Sequence, residues 1–199
     1  SYADILTKLG FEAEQWLPAA LEMVEAVRRA PLAENVQLAD IPADSRVAEM
    51  GFVLHLHDFG LKRLRRWFAR SDIGLPENAA AHLPQLDFHA VTGFLNGFID
   101  LIAAGKNGRV CVIDYKSNHL GSRLADYGQA AMSAAVSEHH YYLQALIYAV
   151  ATARYLKQRR ALPEYIHVRY LFVRGLNPHG QEGLWCWDIP VSALQEWLE

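Results

Sequence analysis

The apolar and polar positions divide this chain into segments of helical period and segments that alternate. Apolar residues recurring every three or four positions predict helices over 11–30, 61–70, 122–139, 140–160 and 192–199, the last with Ser192 as N-cap. Runs rich in β-branched and aromatic residues predict strands over 47–57, on both sides of the turn-forming GKNG at 105–108, and over 165–175 and 183–190. The polar segment 31–45 is rich in turn formers and is expected to be a connector. The order α-β-α-β-β-α-α-β-β-α is typical of an α/β or α+β domain with a mixed sheet.

Composition indicates an ordinary globular chain, with 199 residues of which 52% are hydrophobic and 21% charged. No apolar run approaches the ~20 residues of a membrane span, and the first residues lack the pattern of a secretion signal. Cys111 and Cys186 lie in apolar strand-like runs, so we expect reduced thiols and a cytoplasmic protein. A net charge of -3 argues against nucleic-acid binding by the whole surface, although basic residues cluster in 61–70 and 154–160.

Two strands of the predicted hairpin carry charges where a core would be apolar. A two-residue turn centred on 106–107 places Asp100 opposite Ile113, one position away from Asp114. Strict alternation then puts the two carboxylates on opposite faces, so a one-residue bulge is needed to bring them together. Lys116 shares the face of Asp114, because strand side chains alternate with a period of two.

The charges of this group indicate its chemistry. Two converging carboxylates repel each other, and a hard divalent cation with oxygen ligands resolves the conflict. Mg²⁺ is the expected ion, because it takes one or two carboxylates, keeps several waters and binds phosphate oxygens in its remaining positions. A nearby lysine can orient the attacking water and stabilise charge that builds on the phosphate. The group therefore suits phosphodiester hydrolysis, and the alternative is a structural Asp–Lys ion pair at a strand end.

The segments GFLNGFIDLI (93–102) and VIDYKSNHLG (112–121) resemble the C-terminal nuclease domains of exodeoxyribonuclease V beta subunits, within the PD-(D/E)xK nuclease superfamily. The resemblance continues upstream through GFEAEQW and VAEMGF, and downstream through YGQAAMSAAVSEHHYYLQALIYAVATARYL and YLFVRG, so it covers nearly the whole chain. It implies an α/β, restriction-endonuclease-like core with a mixed β-sheet flanked by helices. It also implies that Asp100, Asp114 and the carbonyl of Tyr115 bind Mg²⁺, and that Lys116 is the catalytic lysine.

The resemblance assigns further positions around this group. Gln144 and Tyr148 match a Q-x-x-x-Y motif, whose members position DNA and brace the active site from one face of a helix. The alternative for these two residues is a helix that simply packs on the sheet. Glu49 matches an acidic position on the first strand of relatives.

The resemblance also implies a biological setting. It predicts an exo- or endodeoxyribonuclease that acts on single- and double-stranded DNA ends during double-strand break processing and recombinational repair. The expected partners are RecC- and RecD-type subunits, in a heterotrimer with an ATP-binding helicase. The chain is expected to form one nuclease domain, 1–199, with a helical segment 1–45 and a core 46–199, cut from a larger subunit. The family's histidine ligand precedes the matched segments and is absent, so we expect the isolated chain to bind Mg²⁺ weakly and cleave poorly.

Two other functions fit the sequence. One is a catalytically silent nuclease-like module that docks DNA or protein, and the other is a stand-alone nuclease of the same superfamily. The presence of both acids and the lysine favours an enzyme over the silent module. The sequence assigns no role to several histidines near the matched segments: His55, His57, His119, His139 and His140.

Overall fold

The computed structural model describes residues 1–34, 36–55, 59–87, 93–105, 108–177 and 179–198. Its helices are α1 (Tyr2–Lys8), α2 (Ala13–Arg29), α3 (Leu61–Phe68), α4 (Gln129–Glu138), α5 (Tyr141–Gln158) and α6 (Gln195–Leu198). Its strands are β1 (Pro31–Ala33), β2 (Val36–Gln37), β3 (Arg46–His55), β4 (Phe94–Ala104), β5 (Val110–Lys116), β6 (Tyr165–Phe172) and β7 (Leu184–Pro190). None of these helices combines the length and the apolar character needed to cross a bilayer, as far as the described ranges extend.

Strands β3 to β7 form one mixed sheet, and they lie in it in the order of the chain. β4 is antiparallel to both β3 and β5, β6 runs parallel to β5, and β7 returns antiparallel to β6. A parallel pair requires a crossover connection, which α4 and α5 provide between β5 and β6. The predicted α/β class, with a mixed sheet flanked by helices, is confirmed.

The face of the sheet under α5 carries the larger core. Along β5, Val110 and Val112 contribute to this core, while Cys111 and Ile113 contribute to the core on the opposite face. Side-chain alternation therefore continues the row of Val110 and Val112 into Asp114 and Lys116, beneath α5. Strand β5 thus contributes to the core along most of its length and carries Asp114 and Lys116 at its C-terminal end.

The opposite face of the sheet is covered by the segment that follows α2. Ala30, Leu32, Leu38 and Ile41 are buried there, in one cluster with residues of β4, β5 and β6. Arg169 of β6 is buried on this side, where it donates to the carbonyl of Leu32 and forms an ion pair of 2.7 Å with Asp188. A buried guanidinium is tolerated when its donors are satisfied in this way.

Helix α3 contains the basic segment and is joined to α6 by both apolar and charged contacts. The fully buried Trp67 donates its indole N–H to the carbonyl of Ala193 at 2.8 Å and packs edge-on against Trp197. Arg63 and Arg66 form ion pairs with Glu196 at 3.3 and 2.8 Å. In addition, Arg65 donates to the carbonyls of Pro84 and Leu86, and Arg70 pairs with Asp72. Much of the charge of 61–70 is therefore engaged within the protein.

Several predicted elements need correction. The closing segment starts with a 3₁₀ turn, Val191–Leu194, and Ser192 lies inside that turn rather than at an N-cap. The helix predicted from 122 begins only at Gln129, because the 3₁₀ turn Leu124–Tyr127 and an extended Gly128 precede it. The segment 31–45 includes the paired strands β1 and β2, and α1 was not predicted. Short elements of this kind carry too few periodic positions to be distinguished from turns.

Candidate active site

The pairing of β4 with β5 aligns the two predicted metal-binding acids. Leu101 lies opposite Ile113, so the next position along both strands places Asp100 opposite Asp114. The predicted register, with Asp100 opposite Ile113, is wrong by one residue. In this register directly opposed side chains share a face, and the charge of Asp100 contributes to the raised pKa of Asp114 after burial and against Lys116, so the two carboxylates lie near each other.

The turn explains the difference in register. The Gly105 N–H donates to the carbonyl of Arg109 at 2.8 Å, which leaves three residues, rather than two, inside the loop. Gly108, the last of the three, has a φ of +74°, a conformation that glycine adopts without cost. Three-residue hairpin loops characteristically end with a residue in this left-handed conformation. Residues 106–107, the predicted centre of the turn, lie outside the described residues.

Four side chains form a ring of polar contacts between β5 and α5. The Lys116 Nζ lies 2.8 Å from Asp114 Oδ2 and donates to Gln144 Oε1 at 2.5 Å. The Gln144 Nε2 in turn donates to the Tyr148 hydroxyl at 2.9 Å, and that hydroxyl is near enough to Asp114 to act against the rise in its pKa. Gln144 and Tyr148 lie four residues apart, so they share one face of α5. The predicted motif pair thus contacts the predicted acid and lysine directly.

Burial dominates the electrostatics of this ring. It raises the pKa of Asp114, and the neighbouring charge of Asp100 raises it further, while Lys116 opposes both effects. Burial also lowers the pKa of Lys116, against the attraction of Asp114. The pKa of Tyr148 rises to about 12, first through burial and then through the charge of Asp114. Burial and the charge of Asp100 both disfavour the carboxylate form of Asp114, so a further cation beside the two acids is electrostatically favourable.

Asp100 and Glu49 extend the acidic group onto the neighbouring strands. The Asp100 Oδ2 accepts the backbone N–H of Tyr115 at 3.0 Å, which ties β4 to the end of β5. In the β3–β4 pairing Ala48 lies opposite Leu101, which places Glu49 opposite Asp100. Glu49 has a φ of +51°, an unusual conformation for a residue with a Cβ and one that is often found at functional sites. Acids therefore occupy matching register positions on three adjacent strands, although the three side chains do not form a cluster among the described residues.

Two tyrosines that the sequence reasoning missed complete the surroundings of the lysine. The Lys116 Nζ lies 3.7 Å from the ring centroid of Tyr141 and 4.5 Å from that of Tyr170. Tyr141 precedes Gln144 by three positions, so it presents the same face of α5 one turn earlier. The spacing Y-x-x-Q-x-x-x-Y could have identified Tyr141. Tyr170 is recognisable only from the parallel pairing that sets it beside Asp114.

The histidines occupy varied positions. His139 stacks on Tyr141, with ring centroids 5.3 Å apart, and its neighbour His140 connects α4 to α5 with a φ of +54°. His55 lies at the exposed end of β3 beside Phe94, and His119 is exposed beyond β5. His57 is outside the described residues. Within the described ranges, no three or more His, Cys, Asp or Glu side chains group closely enough to hold a metal ion by themselves.

A family comparison agrees with this geometry. Residues 10–185 match the model of the PD-(D/E)XK nuclease superfamily. The chain belongs to this superfamily. The pattern in the superfamily's name, an acid, any residue and a lysine, is present as Asp114, Tyr115 and Lys116 at the end of β5.

Curated relatives of this PD-(D/E)XK domain carry the name RecBCD enzyme subunit RecB. The chain is 39% identical to the Escherichia coli K12 protein over 186 residues, which is 88% of the chain and 15% of that protein. It is 34% identical to the protein of Haemophilus influenzae, with 86% of the chain and 14% of the relative covered. Identity to the Mycobacterium tuberculosis protein is 32%, with 85% and 18% covered. The predicted resemblance is confirmed, and the chain spans less than one fifth of the length of these relatives.

Proposed function

We propose that this chain is the DNA-cleaving domain of a RecB-type subunit and that it hydrolyses phosphodiester bonds with Mg²⁺. The proposal is carried by one observation, the polar contacts that link Asp114, Lys116, Gln144 and Tyr148, with Asp100 beside them. A structural ion pair would require neither a second carboxylate opposite the first nor an amide that orients the amine. The arrangement supports catalysis over the purely structural alternative.

The donor set of this group fits a magnesium ion. Asp100 and Asp114 offer carboxylate oxygens from adjacent strands, and the Tyr115 carbonyl is the third proposed ligand. These are hard oxygen donors, and Mg²⁺ needs only one or two carboxylates because water and phosphate fill its other positions. Burial first, and then the charge of Asp100, raise the pKa of Asp114, and a cation bound between the two acids would neutralise their negative charge. Bound there, Mg²⁺ supplies Lewis-acid polarisation of the phosphate and lowers the pKa of a coordinated water.

The protein's own groups have separate roles in the proposed reaction. Lys116 orients the attacking water and stabilises the negative charge that develops on the phosphate oxygens. Gln144 fixes the direction of the Lys116 amine through the hydrogen bond to Oε1. Tyr148 presents its hydroxyl beside Asp114, where it opposes the rise in the pKa of that acid, and it packs against Phe52 of β3, with ring centroids 5.8 Å apart. Glu49 is proposed to assist the acidic group from β3.

The whole-protein role is proposed from the relatives. A RecB-type subunit that contains this domain would act with RecC- and RecD-type subunits, and the domain would cut DNA strands as broken ends are processed for recombinational repair. The similarity over 88% of this chain to the E. coli RecB subunit supports that setting. The proposal places catalysis in the domain and delivery of the strand in the remainder of the assembly.

The test uses the chain itself and a chimera. In the chimera, this chain replaces the matching segment of E. coli RecB, which is then purified with that enzyme's other subunits. We expect the chimera to cleave labelled single-stranded DNA in Mg²⁺, with no cleavage in EDTA, and the isolated chain to cleave more slowly. Lys116→Ala and Asp114→Asn should each lower the single-turnover rate by roughly 10³-fold or more, the order of effect of removing a transition-state-stabilising group.

A matched variant controls for assembly. Lys62→Ala removes an exposed lysine of α3 and should leave cleavage within about threefold of the unsubstituted chimera. A chimera that unwinds duplex DNA and binds single strands, but does not cut them in Mg²⁺ or Mn²⁺, would support the silent docking module instead. Cleavage that survives Lys116→Ala would show that the site lies elsewhere.

A further inference from the structure

We infer that Tyr141 and Tyr170 form an aromatic clamp that positions the amine of Lys116, with Tyr141 as the outer, half-buried ring. This inference deepens the proposed nuclease function and rests on it. Both rings lie within cation–π distance of Nζ, at 3.7 and 4.5 Å from the centroids. Tyr170 is completely buried, and Tyr141 is half-buried at the start of α5. Neither residue belongs to the D-x-K or Q-x-x-x-Y patterns.

The two rings can hold the Lys116 amine without occupying its N–H donors. A lysine ammonium has three N–H donors, of which Asp114 takes one at 2.8 Å and Gln144 takes another at 2.5 Å. A third polar partner would consume the remaining donor, leaving none for a water or a phosphate oxygen. The faces of aromatic rings attract a cation without accepting a directed hydrogen bond in the same way. The two rings can therefore hold the amine and leave its third donor for the substrate.

The rings are themselves held in position by hydrogen bonds. The Tyr170 hydroxyl donates to the Tyr141 carbonyl at 2.7 Å, which links β6 to the first turn of α5. The Tyr141 hydroxyl donates to Asn118 Oδ1 at 3.2 Å, on the chain that leaves β5 just after Lys116. His139 stacks against the Tyr141 ring, with centroids 5.3 Å apart. Contacts from three directions fix the outer ring, as a positioning role requires.

A flexible side chain explains why such a clamp matters. The lysine stem has four rotatable bonds, and the amine must be held in one place to act on a reacting phosphate. Loss of the Tyr141 ring leaves Asp114 and Gln144 to position the amine by themselves. A displacement of about 1 Å at a reacting group can cost on the order of 10²-fold in rate. We therefore expect Tyr141→Leu to slow cleavage by about 10- to 100-fold, mainly through kcat.

The first test observes the amine without metal or substrate. The chain contains five lysines, so selective ¹³C labelling at Cε gives a simple NMR spectrum. A proton above an aromatic face resonates upfield, so one Hε signal should be displaced from the other four and should disappear in Lys116→Met. Tyr141→Leu should return that signal towards the common position, and Tyr141→Phe, which keeps the ring, should preserve its displacement. If Tyr141→Leu does not fold, Tyr141→Met removes the ring but supplies an unbranched, flexible side chain that adapts to the space left behind.

The second test measures single-turnover cleavage by the same variants in the E. coli RecB chimera. We expect Tyr141→Phe to keep at least about a third of the rate, and Tyr141→Leu or Tyr141→Met to show the kcat loss with little change in KM. An Hε signal that is not displaced in the unsubstituted chain, or equal losses in Tyr141→Phe and Tyr141→Leu, would overturn the clamp. Absence of cleavage by the unsubstituted chimera would refute the proposed function alone, because the NMR result still reports whether the rings hold the amine.

Discussion

Replacing Asp100 with asparagine removes one charge and almost no volume, and we expect it to stabilise the metal-free protein. The amide oxygen of asparagine can still accept the Tyr115 N–H that Asp100 accepts at 3.0 Å. What disappears is the repulsion between Asp100 and Asp114, which lie opposite each other on neighbouring strands. The substitution therefore removes the destabilising repulsion between the two acids while keeping the hydrogen bond to Tyr115.

The size of the effect follows from Coulomb's law. Opposed strand residues have Cβ atoms ~5 Å apart, and two unit charges at that distance repel by about 3 kcal/mol at an effective dielectric constant of 20. Asp100 is partly exposed and Lys116 lies beside Asp114, so screening reduces the gain to about 1 kcal/mol. For a chain of this length that corresponds to a rise in Tm of roughly 2–4 °C.

Magnesium should reverse the order of stability. An ion present at ten times its Kd stabilises the native state by about 1.4 kcal/mol, a gain that the variant largely loses with one ligand removed. In thermal melts at pH 8, Asp100→Asn should therefore have the higher Tm in EDTA, and the unsubstituted chain should have the higher Tm as the Mg²⁺ concentration increases. Asp44→Asn, at an exposed acid in the turn before β3, should leave both the Tm and the Mg²⁺ response nearly unchanged. A lower metal-free Tm for Asp100→Asn, or an undiminished response to Mg²⁺, would refute the reasoning.

Three further outcomes are expected. Gln144→Leu deprives Lys116 of its acceptor and should cost about 1–3 kcal/mol in urea unfolding, so an unchanged midpoint would contradict the ring of polar contacts. For Asp188, burial acts to raise the pKa, but hydrogen bonds and the charge of Arg169 prevail and lower it to about 2. This stabilisation is complete above pH ~4 and is lost as pH falls towards 2, so Asp188→Asn should cost about 1 kcal/mol at pH 7, discounted for exposure, and progressively less on acidification. Gly183→Ala should destabilise the protein by more than about 2 kcal/mol, and Gly108→Ala by about 1 kcal/mol. Both glycines have a φ of +74°, but only at Gly183 would an added Cβ meet backbone atoms, 2.5 Å away at Leu176. Equal losses of stability on thermal unfolding would show that this close approach is unimportant.

Periodicity predicted the order of the core elements because the long helices and central strands carry strong patterns. The D-x-K tripeptide, with an upstream acid, identified the residues that β4 and β5 place together. The register was wrong because GKNG fits both a two-residue loop and a three-residue loop that ends in a left-handed glycine. Only the backbone hydrogen bond between Gly105 and Arg109 distinguishes these turns, and that single residue decides whether the acids share a face.

Other features depend on long-range packing and could not be predicted from local sequence. Tyr170 joins the lysine site only because β6 pairs in parallel with β5, 56 positions away from Asp114. The basic residues of α3 form a cluster in the sequence, but Glu196, the partner of Arg63 and Arg66, lies at the far end of the chain. A cluster of like charges in sequence gives no information about counter-charges supplied by a distant element.

The internal pairing of α3 bears on how a DNA strand reaches the catalytic face. Arg63 and Arg66 already neutralise Glu196, and Arg65 donates to backbone carbonyls, so this helix has reduced capacity to attract a polyanion. The formal charge of the chain is -3, which gives no general pull towards phosphates. Binding that displaces few counterions weakens only gradually as salt is added. We therefore expect the isolated domain to capture little DNA from bulk solution by itself. In the proposed assembly, it would cut strands that the helicase delivers to it.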